Sequence, residues 1–273
     1  MPQATRRLSR HVLSLLMALA GAGGHCHRAA AQPGYFAKAP VTGETDLDWA
    51  YPLVGHSPVD PPRELLAGYR SEATRYEFFA PAQSGAAPLL IFVSPKDRPV
   101  GWMFFEETCR TRGILFAGLH DMGNGRPAAH RVRAVLDVLS DLRERFPVDP
   151  DRTYLAGFSG GAQVACVTAL ALPEYFGGVL CFGHASRPPQ EPWLLDRVRG
   201  RLSMAIICGA RDQAATLAEN VYVPLWEGVG ARVRLEVVRG MGHTMPAPGV
   251  CDAALAWAEE GAAARRAWAD AHP

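Results

Sequence analysis

The chain has 273 residues, of which 48% are hydrophobic and 20% charged. That length and apolar content suit one large α/β domain with a full core and argue against persistent disorder away from the termini. The formal net charge is +1, so no basic field exists to release counterions; nucleic acid and anionic membrane surfaces are excluded on electrostatic grounds, and a pocket-bound molecule is expected.

At the N-terminus, Arg6, Arg7 and Arg10 flank or precede an apolar run from Val12 to Ala22, and Ala29-Ala30-Ala31 comes before Gln32. A basic segment, a short apolar segment and a small-residue cleavage site are the parts of a secretory signal peptide, so residues 1–31 are expected to be removed on export to the periplasm or the exterior. The apolar run is shorter than the ~20 residues that span a bilayer, and no later run reaches that length. No integral membrane segment is therefore expected after cleavage. His25-Cys26-His27 lacks the ligands to complete a metal site. Beyond Ala31 five cysteines remain, Cys109, Cys166, Cys181, Cys208 and Cys251; an odd number leaves at least one unpaired within a monomer.

Residues 32–62 are rich in proline, glycine and aromatics without a sustained period, and are expected to form an extended arm over the surface of a domain covering 63–273. Apolar or β-branched runs then recur at Arg75–Ala80, Leu89–Val93, Ile114–Leu119, Thr153–Phe158, Gly178–Phe182, Met204–Cys208 and Val233–Val238. Several are continuous, as strands buried on both faces of a parallel sheet require. Helical patterns lie between them. His130–Phe146 carries a valine and leucine stripe with arginines and aspartates opposite, and Pro147 ends it; Gly161–Leu172 is small and apolar; Ala253–Ala267 is alanine-rich. Alternation of strands and helices predicts an α/β fold with a mostly parallel central sheet covered on both faces. Only a short segment, Ala185 to Arg201, separates two of the strands, which leaves room for at most a short cap.

One motif sits at a strand-to-helix junction. Gly157-Phe158-Ser159-Gly160-Gly161 satisfies G-x-S-x-G, and the sharp turn it encodes lifts the serine hydroxyl to the carboxyl edge of the sheet. The Gly160 N–H then faces the place where a tetrahedral oxyanion would form, at the positive end of the following helix. A phosphate cradle is the weaker reading, because no P-loop lysine accompanies the glycines. A serine nucleophile needs an imidazole to take its proton and a carboxylate to orient that imidazole. Asp212 follows the run Met204–Cys208 and His243 follows Val233–Val238, so both lie at the same sheet edge as Ser159. His184, after Gly178–Phe182, is the competing imidazole and otherwise borders the pocket; Asp196 and Glu191 are the alternative acids.

The stretches "VDPDRTYLAGFSGG", "CGARD" and "GMGH" resemble the α/β-hydrolase superfamily, and within it secreted esterases similar to poly(3-hydroxybutyrate) depolymerases and feruloyl esterases. The resemblance spans roughly Arg75 to the last helix and implies an α/β-hydrolase fold, with Ser159 as nucleophile, Asp212 as acid and His243 as base. Such esterases usually have a His-Gly pair after the third strand; here the sequence reads Phe92-Val93-Ser94-Pro95-Lys96. Pro95 has no N–H to donate, so Ser94 or Lys96 is expected to supply the second oxyanion donor. The expected partner is a small-molecule or polymer ester, with Trp193 and Trp102 as candidate substrate contacts; no cofactor or metal is required. A peptidase of the same fold and a catalytically inactive binding protein are the rival readings.

Overall fold

The computed structural model describes residues 32–54, 62–82, 85–188 and 192–271. The expected signal segment at 1–31 lies outside the described residues, as do His56, Glu191 and His272. Among the described residues eight strands form one sheet: β1 (Gly34–Pro40), β2 (Arg75–Ala80), β3 (Ala87–Val93), β4 (Leu115–Leu119), β5 (Val148–Phe158), β6 (Gly178–Phe182), β7 (Ser203–Gly209) and β8 (Arg232–Val238). Their order is β1-β2-β4-β3-β5-β6-β7-β8. The first two pairings are antiparallel, and every pairing from β4 across to β8 is parallel.

The helices are α1 (Tyr51–Val54), α2 (Trp102–Arg112), α3 (Ala128–Arg145), α4 (Gly160–Ala171), α5 (Pro192–Val198), α6 (Gln213–Leu217), α7 (Val223–Gly228) and α8 (Pro248–Ala271). All seven residues of β3 are buried, which is why that strand reads as a continuous apolar run. Its alternate side chains serve different layers: Leu89, Ile91 and Val93 pack with α3 and α4, while Leu90 and Phe92 pack with α2 and α8.

One expectation is corrected. Residues 34–40 of the arm are not laid over the surface; they are the edge strand of the sheet, and Trp49, Ala50 and Tyr51 are core residues. The arginines and aspartates opposite the apolar stripe of α3 are buried as well: Arg131, Arg133, Asp137 and Asp141. The arm covers part of that face. Asp137 and Asp141, one turn apart, accept hydrogen bonds from the arm: Thr45 N–H donates to Asp137 Oδ1 at 2.7 Å, and Thr42 N–H donates to Asp141 Oδ1 at 3.1 Å. Tyr69 and Tyr76 hydroxyls donate to the second oxygens of the same two carboxylates at 2.6 and 2.5 Å. Burial beside those carboxylates holds both phenols above the ordinary tyrosine range. A buried carboxylate is tolerated only when its lone pairs are occupied, and here the arm and the two tyrosines supply donors together.

The strand order 4-3-5 makes the centre of the sheet a switch point, where successive crossovers run to opposite sides and leave a crevice at the carboxyl edge. Ser159 stands directly at the end of β5, beside that crevice.

Candidate active site

The junction from β5 to α4 is tight. Ser159 has φ 54° and ψ −123°, a conformation a non-glycine residue adopts at a cost of about 1–3 kcal/mol when its surroundings impose it. Those surroundings are visible: Ser159 N–H donates to the Phe182 carbonyl at 2.9 Å, and its own carbonyl accepts from Gln163 N–H at 3.2 Å. A Cβ on Gly161 would stand 2.0 Å from the Val93 carbonyl oxygen, so only glycine lets α4 begin this close to β3. The serine hydroxyl is thereby fixed at the edge of the sheet.

Two loops reach it from the far side. His243, after β8, places Nε2 2.9 Å from Ser159 Oγ, and its Nδ1 is 2.6 Å from Asp212 Oδ2. Asp212 is itself pinned, because its Oδ1 accepts the Ala214 N–H at 3.0 Å as the N-cap of α6. The carboxylate is 9% exposed and the imidazole 47%, an arrangement with a covered orienting group and a reachable base. The ring of Phe158 lies 5.0 Å from that of His243. Gly183, with φ +69°, leaves the imidazole room: a Cβ there would lie 3.1 Å from His243 Cε1.

The opposite side of Ser159 is made by the loops after β3 and β4, and its central residue, Arg131 of α3, was not singled out from the sequence. Its guanidinium is buried and donates to three carbonyls, those of Met122 at 2.9 Å, Gly160 at 3.2 Å and Ser94 at 3.2 Å. These belong to the β4 loop, the start of α4 and the β3 loop, so one side chain fastens together the three segments that meet at the nucleophile. Burial lowers its pKa from the ordinary arginine value. The two loops are also tied directly: Asp97 Oδ1 accepts from Gly123 N–H at 3.1 Å, and Asn124 N–H donates to the Pro95 carbonyl at 2.9 Å.

No protein-family profile matches the chain. Over 113 residues it is 33% identical to an acyl-protein thioesterase 1 of Eremothecium gossypii, a span of 39% of this chain and 46% of that protein. The chain thus matches about half the length of that curated relative. Among solved structures it is similar to EstE1, a thermophilic and thermostable carboxylesterase cloned from a metagenomic library, with a TM-score of 0.55 and 16% identity over 69% of this chain and 84% of the other. This chain has the α/β-hydrolase fold. A fluorophosphonate-binding serine hydrolase of Staphylococcus aureus, FphF, superposes on it with a TM-score of 0.54 and 12% identity, covering 68% of this chain and 92% of the other.

The remaining candidate residues fall in different places. Lys96 N–H donates to the Ser94 hydroxyl at 3.0 Å, so within this loop it is already engaged, and Ser94 is buried beneath it. His184 follows Gly183, with a buried Nδ1 that has no hydrogen-bond partner and a ring 6.1 Å from Tyr222. Trp102 stacks on Tyr35 and packs against Phe79 and Phe116; it fills the layer between the edge strands and α2 instead of facing the serine. Trp193 on α5 is exposed, edge-on to Tyr51, with Arg197 over its ring. Asp196 is 74% exposed and lies 3.9 Å from Arg199, whereas Asp212 holds the imidazole. All five described cysteines are buried and unpaired.

Proposed function

We propose that this α/β-hydrolase cleaves carboxylic esters through an acyl-enzyme on Ser159. The observation that carries the reading is the continuous hydrogen-bonded chain from Asp212 through His243 to a serine hydroxyl on a strained turn. In it, His243 Nε2 takes the proton as Ser159 Oγ attacks the carbonyl carbon, and Asp212 fixes the tautomer and favours the imidazolium. The tetrahedral intermediate collapses, His243 returns the proton to the departing alkoxide, and water repeats the sequence in the second half-reaction. The exposed imidazole and the short cap at α5 support a short acyl group or the end of a polymer as substrate. The similarity to an acyl-protein thioesterase favours thioesters as a second class, reached by the same steps with a thiolate leaving.

Export of the mature chain from Gln32 onward is part of the proposal, and N-terminal sequencing of protein recovered outside the cytoplasm tests it. The activity is tested with a panel of acetyl, butyryl and longer acyl p-nitrophenyl esters, a matched thioester and a matched anilide. Ester turnover exceeding anilide turnover is the expected result. Anilide turnover exceeding ester turnover would make the chain a peptidase, and no turnover of any acyl donor by the folded protein would favour the binding-protein reading.

A further inference from the structure

On the oxyanion side of this site, two of the three positions Ser94-Pro95-Lys96 offer no free backbone N–H. Gly160 N–H opens α4 and is one donor. In the β3 loop, Pro95 has no N–H and Lys96 N–H is given to the Ser94 hydroxyl at 3.0 Å. What stands beside Gly160 instead is the side chain of Asn124: a Cβ built on Gly160 would meet Asn124 Oδ1 at 2.4 Å and Nδ2 at 2.9 Å. The amide occupies the volume in which any side chain at position 160 would sit.

Resting on the ester-cleaving reading above, we infer that the side-chain amide of Asn124 is the second donor to the oxyanion formed on Ser159. As the Ser159 Oγ–carbon bond forms, the carbonyl electron pair moves onto oxygen, which accepts from Gly160 N–H and from Asn124 Nδ2–H; when the leaving group departs, that pair re-forms the carbonyl. Both donors border the same residue, so one oxygen lying against Gly160 is within reach of each. Half a turn about the last side-chain bond exchanges Oδ1 and Nδ2 at constant shape, so the donor end can face the site.

Three further observations support this role. Among the described residues the Asn124 side chain makes no hydrogen bond, and it is exposed, so its N–H groups are free to serve a substrate. Its backbone, by contrast, is fixed: Asn124 N–H donates to the Pro95 carbonyl, Gly123 N–H to Asp97, and Arg131 holds the neighbouring Met122 carbonyl. Asp121, three residues earlier, has φ 56°, a conformation imposed on a non-glycine residue by its context. A loop held by this many backbone bonds keeps Asn124 at one distance from Ser159, which is what a donor must have to act on the transition state without reorganising.

The test uses the full mature chain with p-nitrophenyl butyrate. Asn124→Ala is expected to lower kcat by about 10²–10³ with KM little changed, the signature of a donor used only in the transition state. Asn124→Asp is the decisive companion. If Asn124 merely supported the loop, the isosteric carboxylate would be the milder change; as a donor to an oxyanion, it must be the more damaging one. An unchanged kcat in Asn124→Ala, or an Asn124→Asp variant more active than Asn124→Ala, would overturn the inference. Ser159→Ala keeps the two levels apart. Turnover surviving in Ser159→Ala would defeat the acyl-enzyme reading itself, whereas turnover lost there but retained in Asn124→Ala would remove Asn124 alone.

Discussion

The two sides of Ser159 are assembled by different means. On the side of β7 and β8, two side chains act directly, and the decisive distances are 2.9 Å from His243 to Ser159 and 2.6 Å from His243 to Asp212. On the side of β3 and β4, the hydrogen bonds run to backbone groups: Arg131 reaches three carbonyls, and Asp97 and Pro95 hold the β4 loop. A relay of side chains fails when one identity changes. A junction of loops fails when their spacing changes, and spacing is also what stability depends on.

The largest effect separating the two sides is on kcat alone. Ser159→Ala or His243→Ala is expected to lower kcat by about 10⁶-fold, and Asp212→Asn by about 10⁴-fold, with thermal unfolding close to that of the parent chain in each case. Steady-state kinetics alongside calorimetry checks this pairing; a large loss of stability in His243→Ala would show that the relay also holds the fold.

Arg131→Met sharpens the contrast from the other direction. It strips a buried donor from three carbonyls, and the lost charged hydrogen bonds are each of the kind worth about 1.5–3 kcal/mol. Urea unfolding should therefore show a clear loss of stability together with a fall in kcat, a combination that no variant of the relay gives. Full stability in Arg131→Met would mean that the three loops hold one another without it.

A smaller effect isolates contact within the loop junction. Gly160→Ala places a methyl group where the Asn124 amide now sits, and because the obstructing atom ends a short side chain, the fold is expected to survive with that amide displaced. The losses in kcat from Gly160→Ala and Asn124→Ala should then fail to add, since both remove the same donor. Additive losses would place the two residues in separate roles.

The smallest effect is far from the serine and concerns pH. Glu77 on β2 accepts from the Tyr35 hydroxyl at 2.5 Å, but its other oxygen is buried without a partner. Burial raises its carboxyl above the ordinary carboxylate range, so the folded chain keeps this proton at pH values where the unfolded chain has lost it. Its contribution to stability is therefore complete below the unfolded value and is lost as pH rises through the raised folded value. Glu77→Gln, which retains an acceptor for Tyr35, should abolish that pH-dependent loss and be the more stable chain at neutral pH; denaturant titrations at several pH values measure it.

What could be read in the sequence follows the same division. The seven runs from Arg75–Ala80 to Val233–Val238 correspond to β2 through β8, most plainly at β3 and β6, where burial on both faces needs continuous apolar residues. Ser159, Asp212 and His243 were accessible because each follows a strand at one edge, and a parallel sheet brings such positions together. The edge strand β1 was not legible: its residues are mostly exposed and carry no apolar period. Arg131 and Asp137 were hidden for a different reason. On a helix their spacing reads as a solvated face, and only the three-dimensional path of the arm and of the β3 and β4 loops shows that this face is covered. Asn124 had a fainter signal, a glycine-rich loop after a central strand, which does not reveal that its amide meets Gly160.

The proposed function stands or falls with activation of Ser159 by His243. The most direct measurement is reaction of the purified mature chain with a fluorophosphonate, followed by peptide mass spectrometry to locate the adduct. A single adduct on Ser159, absent in His243→Ala, is the expected result. No adduct on the folded chain, or one on Ser159 that forms equally fast without His243, would contradict it.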